Sequence, residues 1–289
     1  MLIQSLVVRR NVSVASPTMY QVSQRVDLQM NCLAALRRAL NKPDATWVST
    51  AQKDAVLAVM ERKTDVMAML KTGGGKSMLA IIPALMSTNT GTVVVLPLKS
   101  LVTDWRRKLD SMEIVYQEYQ GGRLDSGTNL VLVSADRATL GGWRQSIAEL
   151  NETIPITRMV FDEAHLALLS DNFRDSLARV KELRQFSMQL VLLSGTVPPT
   201  SIPALKTSFE LLENAVEIRE SSNRPELEYI LEQPLNSGAI QNKIRDIVSE
   251  EQKEWTGKDR GLIFVTYIDD GEALAHAVRC CMSYTICLR

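Results

Sequence analysis

Two short motifs carry side chains whose types and spacing suit phosphate and metal chemistry. The first is Thr72-Gly73-Gly74-Gly75-Lys76-Ser77, and the second, 86 residues beyond Lys76, is Asp162-Glu163-Ala164-His165. Each follows a short apolar run. Glycines let the backbone curl until successive N–H groups point at phosphate oxygens, and carboxylates suit a magnesium ion and its water. Together the motifs predict that the chain binds a nucleoside triphosphate and hydrolyses it.

The glycine loop divides the work of holding the phosphates and the metal. We expect the backbone from Thr72 to Gly75 to cradle the phosphates, assisted by the positive end of the following helix. Lys76 would reach the β- and γ-phosphates, and the Ser77 hydroxyl would ligate magnesium. The strict pattern has glycine at position 70, where this chain has Leu70, so the match is to a looser form. A chance glycine-rich turn is the alternative, but a strand before the loop and a helix after it argue against it.

The acidic motif supplies the second half of this chemistry. Asp162 would hold magnesium through water, because magnesium gives up its waters reluctantly. Glu163 would orient and deprotonate the attacking water. Solvated acids at a strand end are the alternative, and the preceding phosphate loop at a suitable distance favours the functional interpretation. Downstream, the hydroxyls of Ser194 and Thr196 could relay a change at the phosphate to a neighbouring surface. A small-residue turn before two prolines explains them equally well.

The elements that must position these motifs alternate along the chain. Near-continuous apolar runs predict strands buried on both faces, at 66–70, 92–96, 130–134, 159–161 and 190–193. Helical spacing lies between them, at 76–87, 99–110, 136–150 and 171–184. This alternation predicts an α/β fold with a doubly wound parallel sheet, in which ligands bind at the carboxyl ends of strands. Both motifs lie at such ends.

The regions before and after these strands and helices suggest that the chain has three parts. A helix over 28–41, stopped by the turn at 41–44, belongs to an N-terminal extension, residues 1–45. A helix from Thr50, its N-cap candidate, to Glu61 opens the main domain, residues 46–218. Residues 219–289 form a linker and the start of a second α/β domain, with a helix at 240–254, a strand at 261–266 and a helix at 270–279.

Composition excludes several classes of protein. The chain has 289 residues, a formal net charge of zero and a pI of about 6.8. Any nucleic-acid footprint must therefore be local. No apolar stretch is long enough for a bilayer, and the spacing of the four cysteines fits neither a disulfide framework nor a zinc site. The first 26 residues contain arginines and no acid, which suits a flexible extension or, as the weaker alternative, mitochondrial targeting.

The motifs as a set resemble those of superfamily 2 helicases, and most closely those of the RecQ family. The similarity runs from about residue 47 to 279. It is carried by the nucleotide loop at 69–77, the segment 92–101, the acidic box at 160–165, the segment 222–229 and the strand 261–266. The resemblance implies a RecA-like P-loop NTPase domain followed by an incomplete second RecA-like domain.

The resemblance also implies roles for further residues. Gln52 would read adenine, although a lone glutamine on a helix is otherwise a surface residue. His165 would help to couple nucleotide to nucleic acid, where a solvated histidine is the alternative. Pro97, Ser100 and Leu101 would lie along the DNA track, with Ser100 bonding phosphates without reading sequence. For Trp105 and the three basic residues after it, we favour a core tryptophan on a solvated helix face over a stacking platform.

The chain departs from the RecQ pattern in three places. Ser49 stands where the family has an arginine before the adenine-reading glutamine. The loop after the acidic box ends in Phe173 and Arg174 as in the family but has no tryptophan, so we do not expect the family's usual DNA sensing there. The later motifs of the second motor domain, including the arginine that stabilises the transferring phosphate, and the family's zinc-binding region do not appear.

Taken together, the resemblance implies an ATP-dependent 3′–5′ DNA helicase of RecQ type that uses ATP and Mg²⁺. Its partner would be single-stranded or partly duplex DNA, with no membrane involved, and its role would be DNA repair or recombination in the nucleus. The alternative is a truncated ATP- and nucleic-acid-binding fragment with little or no unwinding. A scaffolding role is a third, weaker possibility.

Overall fold

A computed structural model describes residues 19–169, 188–221, 223, 228, 237–256, 261, 263–265 and 267–278. The chain divides into two compact units, Met1–Asn223 and Arg224–Arg289. The three-part division expected from the sequence stays a prediction, although helix α1 (Met19–Leu40) belongs to the first unit and packs into its core.

The first unit is built on a seven-stranded sheet in which every pairing is parallel. Its order is β3-β4-β2-β5-β6-β1-β7. The strands are β1 (Val66–Met69), β2 (Gly91–Leu96), β3 (Gln117–Glu118), β4 (Leu130–Ser134), β5 (Ile156–Phe161), β6 (Gln189–Ser194) and β7 (Val216–Arg219). The predicted doubly wound α/β fold is confirmed.

The five predicted strands form the centre of this sheet, and the two that were missed lie at its edges. All residues of β1, β2, β4 and β6 are buried, as their continuous apolar runs predict. Strand β3 has two half-buried polar residues and β7 is mostly exposed. Edge strands are covered on fewer sides, so they need no apolar run and leave no such signal.

Helices cover both faces of the sheet. In addition to α1 they are α2 (Thr50–Glu61), α3 (Met78–Met86), α4 (Lys99–Ser111), α5 (Ala135–Ala138), α6 (Gly141–Thr153), α7 (Leu166–Leu169) and α8 (Ile202–Ser208). Two apolar clusters lie against opposite sides. One joins α1, α2, α3 and α4 to the sheet, and the other contains α5, α6 and α8. The sheet is therefore the middle layer of a three-layer unit.

Several helix boundaries differ from the sequence expectation. The helix predicted at 28–41 begins earlier, at Met19, and Asn41 ends it in the left-handed region, with φ 49°. The helix predicted at 136–150 is two helices, because Leu140 is extended ahead of two glycines that start α6. The N-cap of α2 is Ser49 and not Thr50, since the Ser49 side chain accepts the Gln52 backbone N–H. The helix predicted at 171–184 lies outside the described residues.

The second unit contains the helices α9 (Ser237–Glu251) and α10 (Ile268–Val278). The strand predicted at 261–266 is wrong for the residues that are described there, 261 and 263–265, which have no strand pairing. Within the described ranges, no helix has the length and apolar character needed to cross a membrane.

Candidate nucleotide site

The loop between β1 and α3 has a backbone shape that only glycines adopt without strain. Gly73 and Gly75 have φ of 79° and 73°, a region that L side chains rarely occupy. A Cβ on Gly74 would lie 2.8 Å from the Lys71 carbonyl oxygen. The Lys76 ammonium donates to the Leu70 carbonyl oxygen at 3.3 Å. It is therefore held next to the loop, at the edge of the sheet formed by the carboxyl ends of the strands (the sheet edge). The three glycines thus allow a tight cradle followed at once by a helix N-terminus.

Gln52 packs directly against this loop. Its side-chain Oε1 accepts the Val48 N–H at 2.8 Å, and its Nε2 donates to the Gly75 carbonyl oxygen at 3.3 Å. Only 1% of Gln52 is exposed, so the alternative of a surface glutamine is wrong. A Cβ on Gly75 would approach Gln52 Nε2 to 2.0 Å. The missing side chain at position 75 is therefore what admits the glutamine.

The acidic motif begins where β5 ends. Asp162 is 8% exposed and uses both carboxylate oxygens. Oδ1 accepts the Glu163 backbone N–H at 3.0 Å, and Oδ2 accepts the Trp105 indole N–H at 2.8 Å. Glu163 takes a left-handed conformation, with φ 45°, which is uncommon for a residue with a side chain and recurs at functional sites. The turn aims the two neighbouring carboxylates in different directions.

His165 connects the acidic motif to the Ser194-Gly195-Thr196 segment. Its Nδ1 lies 2.9 Å from Ser194 Oγ and 3.3 Å from Glu163 Oε2. Its Nε2 lies 3.4 Å from Thr196 Oγ1. The small-residue turn is thus in hydrogen-bond contact with the residue beside the acids, an arrangement that suits relay of a change at the nucleotide.

Gly195 brings the same segment against the phosphate loop. A Cβ at this position would lie 3.2 Å from Lys76 Nζ and 3.7 Å from Thr72 Oγ1. The Leu70 N–H donates to the Ser194 carbonyl oxygen at 3.0 Å. Strand β6 lies between β1 and β5, so the two motifs are separated by two strand spacings, about 10 Å. The glycine loop, Asp162 with Glu163, and the Ser194-Gly195-Thr196 segment (the relay segment) therefore lie together at the carboxyl ends of the strands.

Helix α4 adds two contacts that the sequence did not single out. Trp105 is 3% exposed and donates to Asp162, which settles the question of its position in favour of the core tryptophan. Lys108, one turn further, donates to Ser77 Oγ at 3.1 Å and lies 5.7 Å from the Trp105 ring centroid. The sequence signal that could have revealed them is the i, i+3 spacing on one helix face.

The residues expected along the DNA track lie at the start of the same helix. Pro97 follows β2 and is half-buried, while Ser100 is exposed and Leu101 half-buried in the first turn of α4. This surface is accessible and adjoins the sheet edge that carries the phosphate loop. Phe173 and Arg174 lie outside the described residues.

The donor set fits a magnesium nucleotide. Ser77 and Asp162 offer hard oxygen ligands, and the described part of the chain has no cluster of three or more His, Cys, Asp or Glu side chains able to hold a metal. Magnesium commonly takes one or two protein oxygens, with phosphate oxygens and waters completing its octahedron. The cradle that needs glycine at 73–75 matches the phosphates themselves.

Comparison with known proteins defines the class. The DEAD/DEAH box helicase family profile matches residues 49–204, more than half of the chain. The chain belongs to this family and carries a superfamily 2 helicase domain. That membership agrees with the parallel sheet and with the two motifs at one edge.

Curated relatives are RecQ-like at low identity. The chain is 27% identical over 183 residues to a protein named RecQ-like DNA helicase BLM from Xenopus laevis, covering 57% of this chain and 13% of that protein. It is 26% identical over 247 residues to the putative ATP-dependent DNA helicase Q1 of Caenorhabditis briggsae, covering 79% of this chain and 39% of that protein. The chain thus spans well under half the length of these relatives.

Solved structures share the fold. The DUF1998 helicase MrfA superposes with a TM-score of 0.58 at 15% identity, over 86% of this chain and 40% of that one. The structure described as MrfA bound to DNA and AMPPNP gives a TM-score of 0.60 at 12% identity, over 84% and 37% of the respective chains. At these identities the likeness shows the fold alone.

Proposed function

We propose that this chain is the motor region of an ATP-dependent DNA helicase of RecQ type, which couples Mg-ATP hydrolysis to 3′–5′ translocation on single-stranded DNA. The observation that carries the proposal is the shared sheet edge. Gly195 lies close to Lys76 and the glycine loop, and His165 connects Ser194 to Glu163. The 3′–5′ direction rests on the resemblance to RecQ helicases, and the nucleus, with the mitochondrion as alternative, stays a prediction of location.

The residues divide the reaction among them. The backbone at 72–75 and the Lys76 ammonium bind the β- and γ-phosphates, and Gln52, anchored by Val48 and Gly75, is the adenine-reading residue that the resemblance to RecQ helicases implies. Bound magnesium supplies charge neutralisation at the transferring phosphate. Ser77 and Asp162 would hold it, Asp162 through water because magnesium gives up its waters reluctantly.

Glu163 takes the proton of the attacking water, and His165 transmits the resulting change at Glu163 to the Ser194–Thr196 segment. In the structure the Glu163 carboxylate lies 3.3 Å from His165 Nδ1. A change in its position or charge when it takes up the proton would alter the His165 contacts to Ser194 and Thr196. Nucleotide state and the position of the relay segment are thereby linked, which is what coupling to DNA requires.

The test is ATP turnover with and without single-stranded DNA, together with nucleotide binding. Lys76→Ala should abolish binding and turnover, because it removes the cation of the phosphate site. Lys71→Ala is the matched control, since Lys71 lies in the same loop but pairs with Glu220 at 3.8 Å. Glu163→Gln should retain binding and lose hydrolysis by at least about a hundredfold.

The outcomes separate the candidate functions. DNA-stimulated turnover that Lys76→Ala removes and Lys71→Ala keeps supports the motor. Nucleotide and DNA binding without turnover or strand separation supports the truncated binding fragment instead. Equal hydrolysis by Glu163→Gln and the wild type would remove Glu163 from its role, and equal binding by Lys76→Ala would remove the phosphate site.

A further inference from the structure

Helix α4 reaches the two residues that would hold the metal. Trp105, a buried residue of α4, and Lys108, an exposed one, lie about one turn apart on the helix. Trp105 bonds Asp162 and Lys108 bonds Ser77. One helix therefore touches both protein oxygens of the expected magnesium site, and each contact engages the atom that the metal or its water would use.

The Trp105 contact fixes Asp162 in one orientation. Both side chains are at least nine-tenths buried, and the indole N–H to Oδ2 distance is 2.8 Å. The Glu163 backbone N–H holds the other oxygen. An indole N–H donates only and carries no charge, so it orients the carboxylate without neutralising it. Each carboxylate oxygen keeps a further lone pair, which suits a metal-bound water.

The Lys108 contact places a positive charge on the magnesium ligand. The ammonium donates to Ser77 Oγ at 3.1 Å, and Lys108 as a whole is exposed, so its long, flexible side chain can leave the site. A divalent cation and an ammonium on the same hydroxyl would repel strongly at this range. Magnesium on Ser77 therefore requires Lys108 to move away.

We propose that helix α4 controls the cation in the nucleotide site: the Lys108 ammonium competes with magnesium for Ser77 Oγ, and the Trp105 indole keeps Asp162 oriented for the metal-bound water. The inference rests on the proposed function in that a magnesium nucleotide binds at this edge. Lys108 is a displaceable substitute for the metal, and Trp105 is a positioning residue.

The first test measures binding of a fluorescent ADP analogue to the full chain as magnesium is increased. Lys108→Met keeps the apolar stem and removes the charge, so the magnesium concentration for half-maximal binding should fall by roughly tenfold. Arg107→Met is the matched control. It removes one positive charge from an exposed neighbour on the same helix, which pairs only with Asp104 among the described residues, and it should leave the magnesium requirement unchanged.

The second test separates positioning from structural support. Trp105→Phe keeps the ring and deletes the N–H donor. It should raise the half-maximal magnesium concentration several-fold while leaving analogue affinity in EDTA as in the wild type. Trp143→Phe is its control, because Trp143 is also buried in the core and its indole N–H has no hydrogen-bond partner among the residues that the structure describes.

Each result bears on the proposal. An unchanged or higher magnesium requirement in Lys108→Met overturns it, as does an equal fall in Arg107→Met or a loss in Trp105→Phe that is equally large in EDTA. Weaker binding by Lys108→Met at saturating magnesium would make Lys108 a phosphate ligand and also overturn it. If the wild type does not bind the analogue, both the proposed function and this inference are contradicted. If the wild type binds it and the variants have the same magnesium requirement as the wild type, the inference alone is contradicted.

Discussion

At the scale of single residues, the chemistry of the site depends on which atoms already contact other protein atoms. Gly75 and Gln52 show this well, because the absent side chain of the glycine makes room for the buried amide of the glutamine. The sequence predicted both as nucleotide-binding residues without indicating that they touch. Their contact joins the adenine-reading residue to the phosphate cradle.

Gly75→Ala should destabilise the protein more than Gly73→Ala. Both positions have positive φ, so each substitution costs roughly 1–2 kcal/mol of backbone strain. A Cβ at Gly73 meets nothing within 4 Å, whereas one at Gly75 displaces the Gln52 amide, which adds about 1–3 kcal/mol for buried polar groups left without partners. Chemical denaturation without nucleotide measures the difference.

A double-mutant cycle checks the cause. Gln52→Ala combined with Gly75→Ala should cost less than the sum of the single substitutions, because the displaced amide is no longer there. Additive costs, or equal costs at positions 73 and 75, would contradict the steric explanation.

At the scale of elements, the sequence predicted the strands that continuous apolar runs mark. It missed the two edge strands, which have no such run, and it placed the N-cap of α2 one residue too late. The continuous apolar runs of β1, β2, β4 and β6 favour buried strands, and the motifs that follow strands were found for that reason. Ser49 and Thr50 are both good N-cap residues, so sequence alone does not decide between them. The contacts of Trp105 and Lys108 depend on which face of α4 meets the sheet, and that is fixed by packing with distant strands.

Ser49→Ala should lower the free energy of unfolding by about 1 kcal/mol, and Thr50→Ala should change it little. The reason is that Ser49 Oγ accepts the Gln52 N–H at 3.1 Å and satisfies an amide at the start of α2. Urea denaturation of the two variants measures this directly. A larger loss of stability in Thr50→Ala than in Ser49→Ala would mean that Thr50 is the N-cap, as the sequence suggested.

The central strands also carry a buried polar row far from the nucleotide. Arg158 on β5 lies in register with Thr92 and Gln189, and each of the three has a buried polar atom without a hydrogen-bond partner in the described structure. Burial, with a smaller contribution from Arg62, lowers the pKa of Arg158 to about 10. The guanidinium is still charged at neutral pH, so this charge costs stability below pH 10, and the cost is relieved as the pH rises through that value.

Arg158→Met should therefore keep or raise the stability of the protein at pH 7, by up to roughly 2 kcal/mol, because an apolar side chain of similar length replaces a buried charge that has no ion-pair partner among the described residues. Thermal and urea unfolding measure it, with the exposed Arg107→Met as control. A loss of several kcal/mol would reveal an anionic partner for Arg158.

At the scale of the whole molecule, the described parts of the two units differ in how much apolar surface they bury. The first encloses its sheet between two apolar clusters. Among the described residues of the second, Leu274 is the buried hydrophobic side chain, while Phe264 is 89% and Tyr267 69% exposed. Burial of apolar surface is the main source of stability, so the stability of the chain should be concentrated in the first unit.

Hydrogen exchange should therefore divide the chain at about residue 223. Amides of β2 and β5 should exchange only through global unfolding, whereas those of α9 and α10 should exchange through local opening with a free energy several kcal/mol lower. Exchange followed by mass spectrometry resolves the two sets in one experiment. Addition of Mg-nucleotide should further protect the loop at 70–77 and the turn at 162–165 and leave the core strands unchanged, because the ligand contacts are confined to the sheet edge. Equal protection of α9, α10 and the central strands would mean that the second unit is as stably folded as the first, contrary to its exposed apolar side chains.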